Sequence, residues 1–314
     1  MRWCLAAVIL SLVSCGGGGG AEPVAGNPQV DSMFAHFAAD DSPGASVMVV
    51  RDGAVVHSAG YGVADLDDGS MMSPSTPVRL GSVSKAFTAM AIVILEEQSA
   101  LTFDSPVTEW VPELRRFPGI TVRHLLNHTS SLPDYYGNGS PLEGMATADG
   151  RQAPLQNAEA FSVYEAWGEP VFTPGDRFEY CNPGYEALAL IVERVSGTTF
   201  AQFLEAEIFT PLGMTTAAVR DLPSKRIPNR AIGYAPIEDG GGWPESDDHW
   251  GNWLVGAGGI YASLEDLFKW DQALYRWAET GARTDEAFSA AIRPSYSWTR
   301  SRAPRARHPT NART

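Results

Sequence analysis

The chain has 314 residues, 44% of them hydrophobic and 19% charged, and a formal net charge of −14. That acidity speaks against nucleic acid, which needs a basic stripe that the body of the chain lacks, while the length is enough to bury a core in one large domain or two closely joined layers. Of its three cysteines, Cys4 and Cys15 fall in the N-terminal segment, leaving Cys181 alone and no intramolecular disulfide in the body.

Residues 1–14 read as an export signal. Arg2 supplies the charge, residues 3–13 the apolar core, and Leu12-Val13-Ser14-Cys15 has the shape of a lipoprotein processing box. The mature chain is then expected to begin at Cys15 with a lipidated thiol, and residues 15–27, which include Gly16 to Gly20, to act as a flexible tether. The expected location is a bacterial membrane surface, facing the periplasm or the cell exterior. The apolar stretch is too short to span a bilayer, and no later window is long enough.

Val30, Met33, Phe34 and Phe37 recur at helical spacing and predict a short helix with one apolar face. Residues 45–50 and 54–59 flank Asp52-Gly53, a pair that favours a tight antiparallel hairpin. Helix, hairpin and then helices again is an α+β order, not the alternation of a parallel doubly wound sheet. A helix is expected from Ser82 to near Glu97, central because it is apolar nearly all round. Residues 122–126 predict another helix, and the Pro/Gly-rich span 132–155 a long surface excursion. Residues 183–195 predict a helix with Tyr185, Leu188, Ile191, Val192 and Val195 on one face and Gly197 as its stop. Phe200, Phe203, Leu204 and Ile208 make the next. A glycine- and tryptophan-rich stretch, 240–259, precedes a helix whose start, Ser263-Leu264-Glu265-Asp266, approximates a capping box. Residues 293–314 hold six arginines and no acid, without apolar period. They read as a disordered basic tail, either an arm for anionic lipid or, the preferred reading, non-native sequence.

Ser82 and Lys85 carry the clearest chemical signal. A serine hydroxyl is a weak nucleophile until a neighbour takes its proton, and i, i+3 spacing puts both side chains on one helix face, which points to acyl transfer. The competing reading is a capping serine and a lysine that snorkels to solvent. A tyrosine is a suitable proton carrier, and two Tyr-x-Asn triplets occur. Tyr136-Gly137-Asn138 falls in the excursion and reads as solvent loop, whereas Tyr180-Cys181-Asn182 immediately precedes a well-formed helix. There is no His-Glu-x-x-His zinc helix, no Gly-x-Ser-x-Gly elbow and no phosphate-cradling glycine loop, so neither a metal nor another cofactor is expected.

Five blocks in order resemble one family: Leu80-Gly81-Ser82-Val83-Ser84-Lys85; Val122-Arg123-His124-Leu125-Leu126-Asn127-His128-Thr129-Ser130-Ser131-Leu132-Pro133; Tyr180-Cys181-Asn182-Pro183-Gly184-Tyr185; Pro211-Leu212-Gly213-Met214; and Gly258-Gly259-Ile260. Over residues 28–292 the chain is similar to the serine hydrolases grouped with class C β-lactamases, D-alanyl-D-alanine carboxypeptidases and related esterases. The resemblance implies a β-lactamase/transpeptidase-like α+β fold, an antiparallel sheet flanked by helices plus a helical subdomain. It implies Ser82 as nucleophile, Lys85 as its activator, Tyr180 as proton shuttle and Asn182 as a donor to the substrate amide. The Ser82 N–H would form half of an oxyanion hole. His124 and His128 look like hydrogen-bonded structural residues, and Asp104 and Pro106 like turn residues.

One element departs from the pattern. The family's late Lys-Thr-Gly or His-x-Gly triplet is absent: neither His249 nor His308 begins one, and Lys269 is followed by Trp270 and Asp271. The C-terminal sheet strands are therefore expected to be missing, which would leave the hairpin of residues 45–59 with an open apolar edge. The expected activity is hydrolysis of an amide or ester, in a β-lactam, a D-alanyl peptide or a small ester, by a monomer held to the membrane through Cys15. The substrate is accordingly a small molecule or a peptidoglycan-like peptide. The alternative is a catalytically silent binding or scaffold protein, or a non-functional remnant, on the same fold.

Overall fold

The computed structural model describes residues 9–12, 26–39, 41–136, 142, 156–237, 242–247 and 250–280. Cys15 and the glycines of the tether, most of the 132–155 excursion and the arginine-rich segment 293–314 lie outside the described residues.

Four strands open the chain: β1 (Ile9–Leu12), β2 (Ala45–Arg51), β3 (Ala54–Tyr61) and β4 (Val63–Asp65), the last pairing with the short β5 (Ser70–Met71). The β2–β3 hairpin turns on Asp52 (φ 54°) and Gly53 (φ 75°), positive at both central positions as a type I′ turn requires. On its other edge β2 pairs in parallel with β1, Ile9 opposite Met48 through Leu12 opposite Arg51. One edge of the hairpin is thus occupied here, by residues assigned above to the export signal, while among the described residues β3 is the outer strand on the other side. A second small sheet has the order β6 (Val78–Arg79), β8 (Ile260–Ala262), β7 (Ala218–Val219), all antiparallel. Strands of two or three residues have too short an alternation to be read from sequence.

Among the described residues the α-helices of five residues or more are α1 (Pro28–Phe34), α2 (Ser84–Glu97), α3 (Val122–Leu126), α4 (Asn157–Ser162), α5 (Asn182–Ser196), α6 (Phe200–Leu204) and α7 (Leu264–Thr280). α1 forms where the spacing predicted it, but its apolar face is not buried: Met33 is 70% exposed. α2 is the central element, with every residue from Phe87 to Leu95 buried and α5 packed along it. Phe87 stacks on Trp270 of α7 at 4.3 Å and meets Phe209 edge-on at 5.9 Å. Side chains of this size contribute about 1.5–3 kcal/mol each on burial, so α2 is held from several sides at once. α5 ends at Gly197 in the left-handed region (φ 71°). α6 continues through a π-helical turn, Glu205–Phe209, and the four apolar residues predicted for this stretch are all buried. Ser263 caps α7 by accepting the N–H of Asp266 at 3.2 Å. Among the described residues no helix is long and apolar enough to cross a membrane.

The strap Gly256–Ile260 ties the small sheet to α2. Thr88 donates to the Gly256 carbonyl at 2.7 Å, and the Ile260 N–H donates to Ser84 Oγ at 3.3 Å. Gly256 has φ 104°, and a Cβ there would lie 2.3 Å from the Tyr185 carbonyl oxygen of α5. Only glycine lets the strap wedge between the two helices.

Candidate active site

Ser82 sits in the 3-10 turn Gly81–Val83, two residues before the first residue of α2, rather than in the α-helix itself as the sequence reading has it. Gly81, at φ 51°, turns the chain out of β6 so that Ser82 is exposed while Ser84 and Lys85 are already buried. The tight turn keeps i and i+3 in line, so Lys85 still lies beneath Ser82.

Lys85 is 7% exposed, and it does not reach for solvent. Its Nζ donates to Asn182 Oδ1 at 2.9 Å and to the Ala257 carbonyl at 3.0 Å, and lies 3.2 Å from Ser82 Oγ. The first two partners can only accept. They fix two of the nitrogen's directions and aim the third at the serine. Tyr180, at the foot of α5, donates its hydroxyl to Ser82 Oγ at 2.8 Å, and Lys85 Nζ sits 4.8 Å from the centre of its ring. The four residues named from sequence, Ser82, Lys85, Tyr180 and Asn182, therefore converge on one solvent-facing point, drawn from α2, the segment before α5, and α5. Cys15 lies outside the described residues.

Other residues complete the surroundings: Asp134, which the sequence reading left aside, and His124, His128 and Asp104, which it took for structural and turn residues. Asn182 donates its backbone N–H and its side-chain Nδ2 to Asp134 Oδ2 at 3.1 and 3.2 Å. A side-chain amide carries two N–H bonds and Asp134 engages one of them. His128 is wedged between the rings of Tyr180 and Tyr185, 4.5 and 5.0 Å between centroids, and its Nδ1 accepts the Cys181 N–H at 3.2 Å. Burial, with the Lys85 charge, pushes its pKa down to about 4, so it is neutral at pH 7 with its proton on Nε2. His124 accepts the Thr121 N–H in the capping box of α3, and burial first lowers its pKa too. Asp104 pairs with Arg123 at 2.9 Å on the surface.

Glu186 is fully buried one turn beyond Asn182. It accepts the Tyr136 hydroxyl at 2.7 Å and that of Tyr135. Burial, then the charge of Asp134, raises its pKa well above the carboxylate range. The reading of 132–155 as a surface excursion is corrected at its start, where Leu132 and Tyr135 are buried; Tyr136 is exposed, as a loop residue would be, but turns its hydroxyl inward to Glu186, which needs partners once it is removed from water. An acid at i+4 from Asn182 on an otherwise apolar helix was the available signal for it. Burial also raises the Cys181 thiol, which makes it a packing group and no nucleophile. Among the described residues no three of His, Cys, Asp and Glu come close enough together to hold a metal ion.

The family model described as Beta-lactamase matches residues 30–311. The chain belongs to that family. Penicillin-binding protein 4* of Bacillus subtilis is 32% identical over 240 residues, 74% of this chain and 52% of its own length. A D-aminopeptidase of Gluconobacter oxydans is 29% identical over 234 residues, 73% of this chain and 42% of its own. The chain spans about half the length of these curated relatives. Among solved structures, the octameric penicillin-binding protein homologue from Pyrococcus abyssi superposes with a TM-score of 0.68 at 28% identity, covering 83% of this chain and 59% of that one. The D-amino acid amidase of Ochrobactrum anthropi, at 23% identity and TM-score 0.66 over 84% of this chain and 74% of its own, shares the fold. The β-lactamase/transpeptidase-like α+β fold implied by the motifs is the fold of this family member.

Proposed function

We propose that this chain is a serine hydrolase that cleaves an amide or ester bond through an acyl-enzyme on Ser82. The observation that carries the reading is the placement of two proton-handling groups, Tyr180 Oη at 2.8 Å and Lys85 Nζ at 3.2 Å, on one exposed serine oxygen.

In the first step Ser82 Oγ attacks the substrate carbonyl carbon, and its proton passes to the Tyr180–Lys85 pair. Negative charge then develops on the former carbonyl oxygen. Ser82 lies at the N-terminal end of α2, where backbone N–H groups and the helix dipole favour such charge. As the tetrahedral intermediate collapses, the bond to the leaving nitrogen or oxygen breaks, and the pair returns the proton to that atom. Water repeats the sequence on the ester carbonyl of the acyl-enzyme: it loses a proton to the pair, the Oγ–acyl bond breaks, and Ser82 regains its hydrogen. Asn182 holds Lys85 through Oδ1, and its second amide N–H is a donor for the substrate. The relatives named for penicillin binding and D-aminopeptidase action support β-lactams and D-amino acid amides or peptides as the substrates to try, with small esters beside them.

A fluorescent penicillin or a fluorophosphonate is expected to label the wild-type chain and not Ser82→Ala. Equal labelling of both, or of neither, overturns the proposal, and the second outcome with a cooperative melt favours a silent scaffold on this fold. The proposal includes a lipidated Cys15 that holds the domain at a membrane surface, supported by the Leu-Val-Ser-Cys box. Labelled palmitate should enter the wild-type chain and not Cys15→Ser. Processing there would remove Ile9–Leu12 and free the edge of β2.

A further inference from the structure

We propose that Asp134 is a positioning residue: it sets which way round the Asn182 amide lies, and through that amide it aims Lys85 at Ser82. The inference rests on the Ser82 hydrolase reading above.

A side-chain amide can turn by 180° and exchange its oxygen for its nitrogen, and the two orientations are not equivalent here. Asp134 Oδ2 is acceptor-only and stands 3.2 Å from Asn182 Nδ2, while Lys85 Nζ, a donor toward the amide, stands 2.9 Å from Oδ1. Turning the amide would set oxygen against oxygen on one side and N–H against N–H on the other. The carboxylate thus dictates that oxygen faces the lysine. Without that acceptor Lys85 keeps only the Ala257 carbonyl as a fixed partner, and its amine is free to turn away from Ser82.

Asp134 is itself fixed, which is what a positioning residue requires. Its Oδ1 accepts the Tyr136 N–H at 2.9 Å, its Oδ2 also takes the Asn182 backbone N–H at 3.1 Å, and both flanks are anchored. The Pro133 carbonyl accepts the Tyr164 hydroxyl at 2.6 Å, and Tyr135 is fully buried. The run from Asp134 to Asn182 to Lys85 to Ser82 is continuous, with each link at 3.2 Å or less.

The test is a double-mutant cycle on the acylation rate of the full chain by a fluorophosphonate, with Asp134→Ala, Asn182→Ala and both together. A charge-assisted hydrogen bond of this kind implies a loss of about 10- to 100-fold for Asp134→Ala. If Asp134 acts through Asn182, the double variant is no slower than Asn182→Ala alone. With a p-nitrophenyl ester, Asp134→Ala should lower kcat per fluorophosphonate-titratable site and leave KM unchanged, whereas a general loosening of the fold would lower the number of titratable sites instead. Losses that multiply in the double variant, or a KM effect alone, overturn the inference while leaving the hydrolase reading standing. An unlabelled wild-type chain removes the hydrolase reading and the inference with it. Asp134→Asn, which keeps the shape and can still turn one acceptor oxygen to Asn182, guards against misfolding: it should melt as the wild type does and acylate faster than Asp134→Ala, and a rate no better than that of Asp134→Ala also overturns the inference.

Discussion

His128 gives the sharpest quantitative prediction, because its protonation is coupled to folding in a direction that can be worked out. Burial, and then the positive charge of Lys85, hold the imidazole pKa at about 4 against an ordinary 6.5. Between those values the unfolded chain binds the extra proton and the folded one does not, so stability decreases as the pH falls from about 6.5 and levels off below about 4. The gap corresponds to about 3 kcal/mol. The geometry gives the same sign, since a proton on Nδ1 would face the Cys181 N–H, which that nitrogen now accepts at 3.2 Å. Glu186 runs the other way. Its carboxyl pKa is raised by burial first, so its contribution is present at low pH and is lost as the pH rises above the ordinary carboxylate range. The wild-type curve therefore mixes opposing slopes, and the useful quantity is a difference. Urea unfolding of the wild type and of His128→Gln, in steps from pH 7.5 to 4, should show the wild type losing about 3 kcal/mol relative to the variant. Glutamine keeps an acceptor for Cys181 and does not titrate. Parallel curves across that range would refute the argument.

Three further outcomes are expected. Gly256→Ala places a Cβ 2.3 Å from the Tyr185 carbonyl at φ 104°, and should cost more than about 3 kcal/mol in unfolding free energy and abolish labelling, since the next carbonyl holds Lys85. Burial disfavours the charged form of Glu186, so relative to the wild type Glu186→Gln should gain stability as the pH rises above the ordinary carboxylate range, read as a rising difference in urea midpoint. Lys85→Met removes a buried cation while keeping its length. It should lose fluorophosphonate labelling by about 100-fold or more yet melt within a few degrees of the wild type, because a buried charge contributes little net stability.

What was legible in the sequence was local. The I′ turn at Asp52-Gly53 and the stop at Gly197 depend on residues within a few positions and form as read, while of the capping box only the Ser263 half forms, since Asp266 turns its carboxylate to Thr216 and Lys269. Ser82 and Lys85 were legible as a pair because three residues separate them. The 3-10 turn at Gly81–Val83 was not, since its tightness comes from the exit of β6 and the Leu80 N–H to Ile260 carbonyl bond, a contact across 180 positions. The same applies to Asp134 and Glu186. An acid beside a Pro/Gly-rich span looks like a solvated turn until its partner 48 residues away in sequence is brought against it. An acid inside a helix looks like its polar face until two tyrosines close over it.

The buried ionisable groups around Ser82 show a division of labour that follows from where each is placed. Lys85 and His128 are near enough for the lysine charge to act on the imidazole, and two cations there would repel each other. Burial between two aromatic rings keeps His128 neutral, so that it serves as a flat wedge under Tyr180. Asp134 and Glu186 are likewise close enough to interact, and two carboxylates there would repel each other. Full burial favours the neutral form of Glu186, whose O–H can turn to one tyrosine hydroxyl while its other oxygen accepts the second. One cation is then left facing the serine and one acceptor facing the amide that holds that cation. Removing the wedge or the buried acid should therefore disturb stability and its pH dependence first, whereas removing Lys85 or Asp134 should disturb the reaction first.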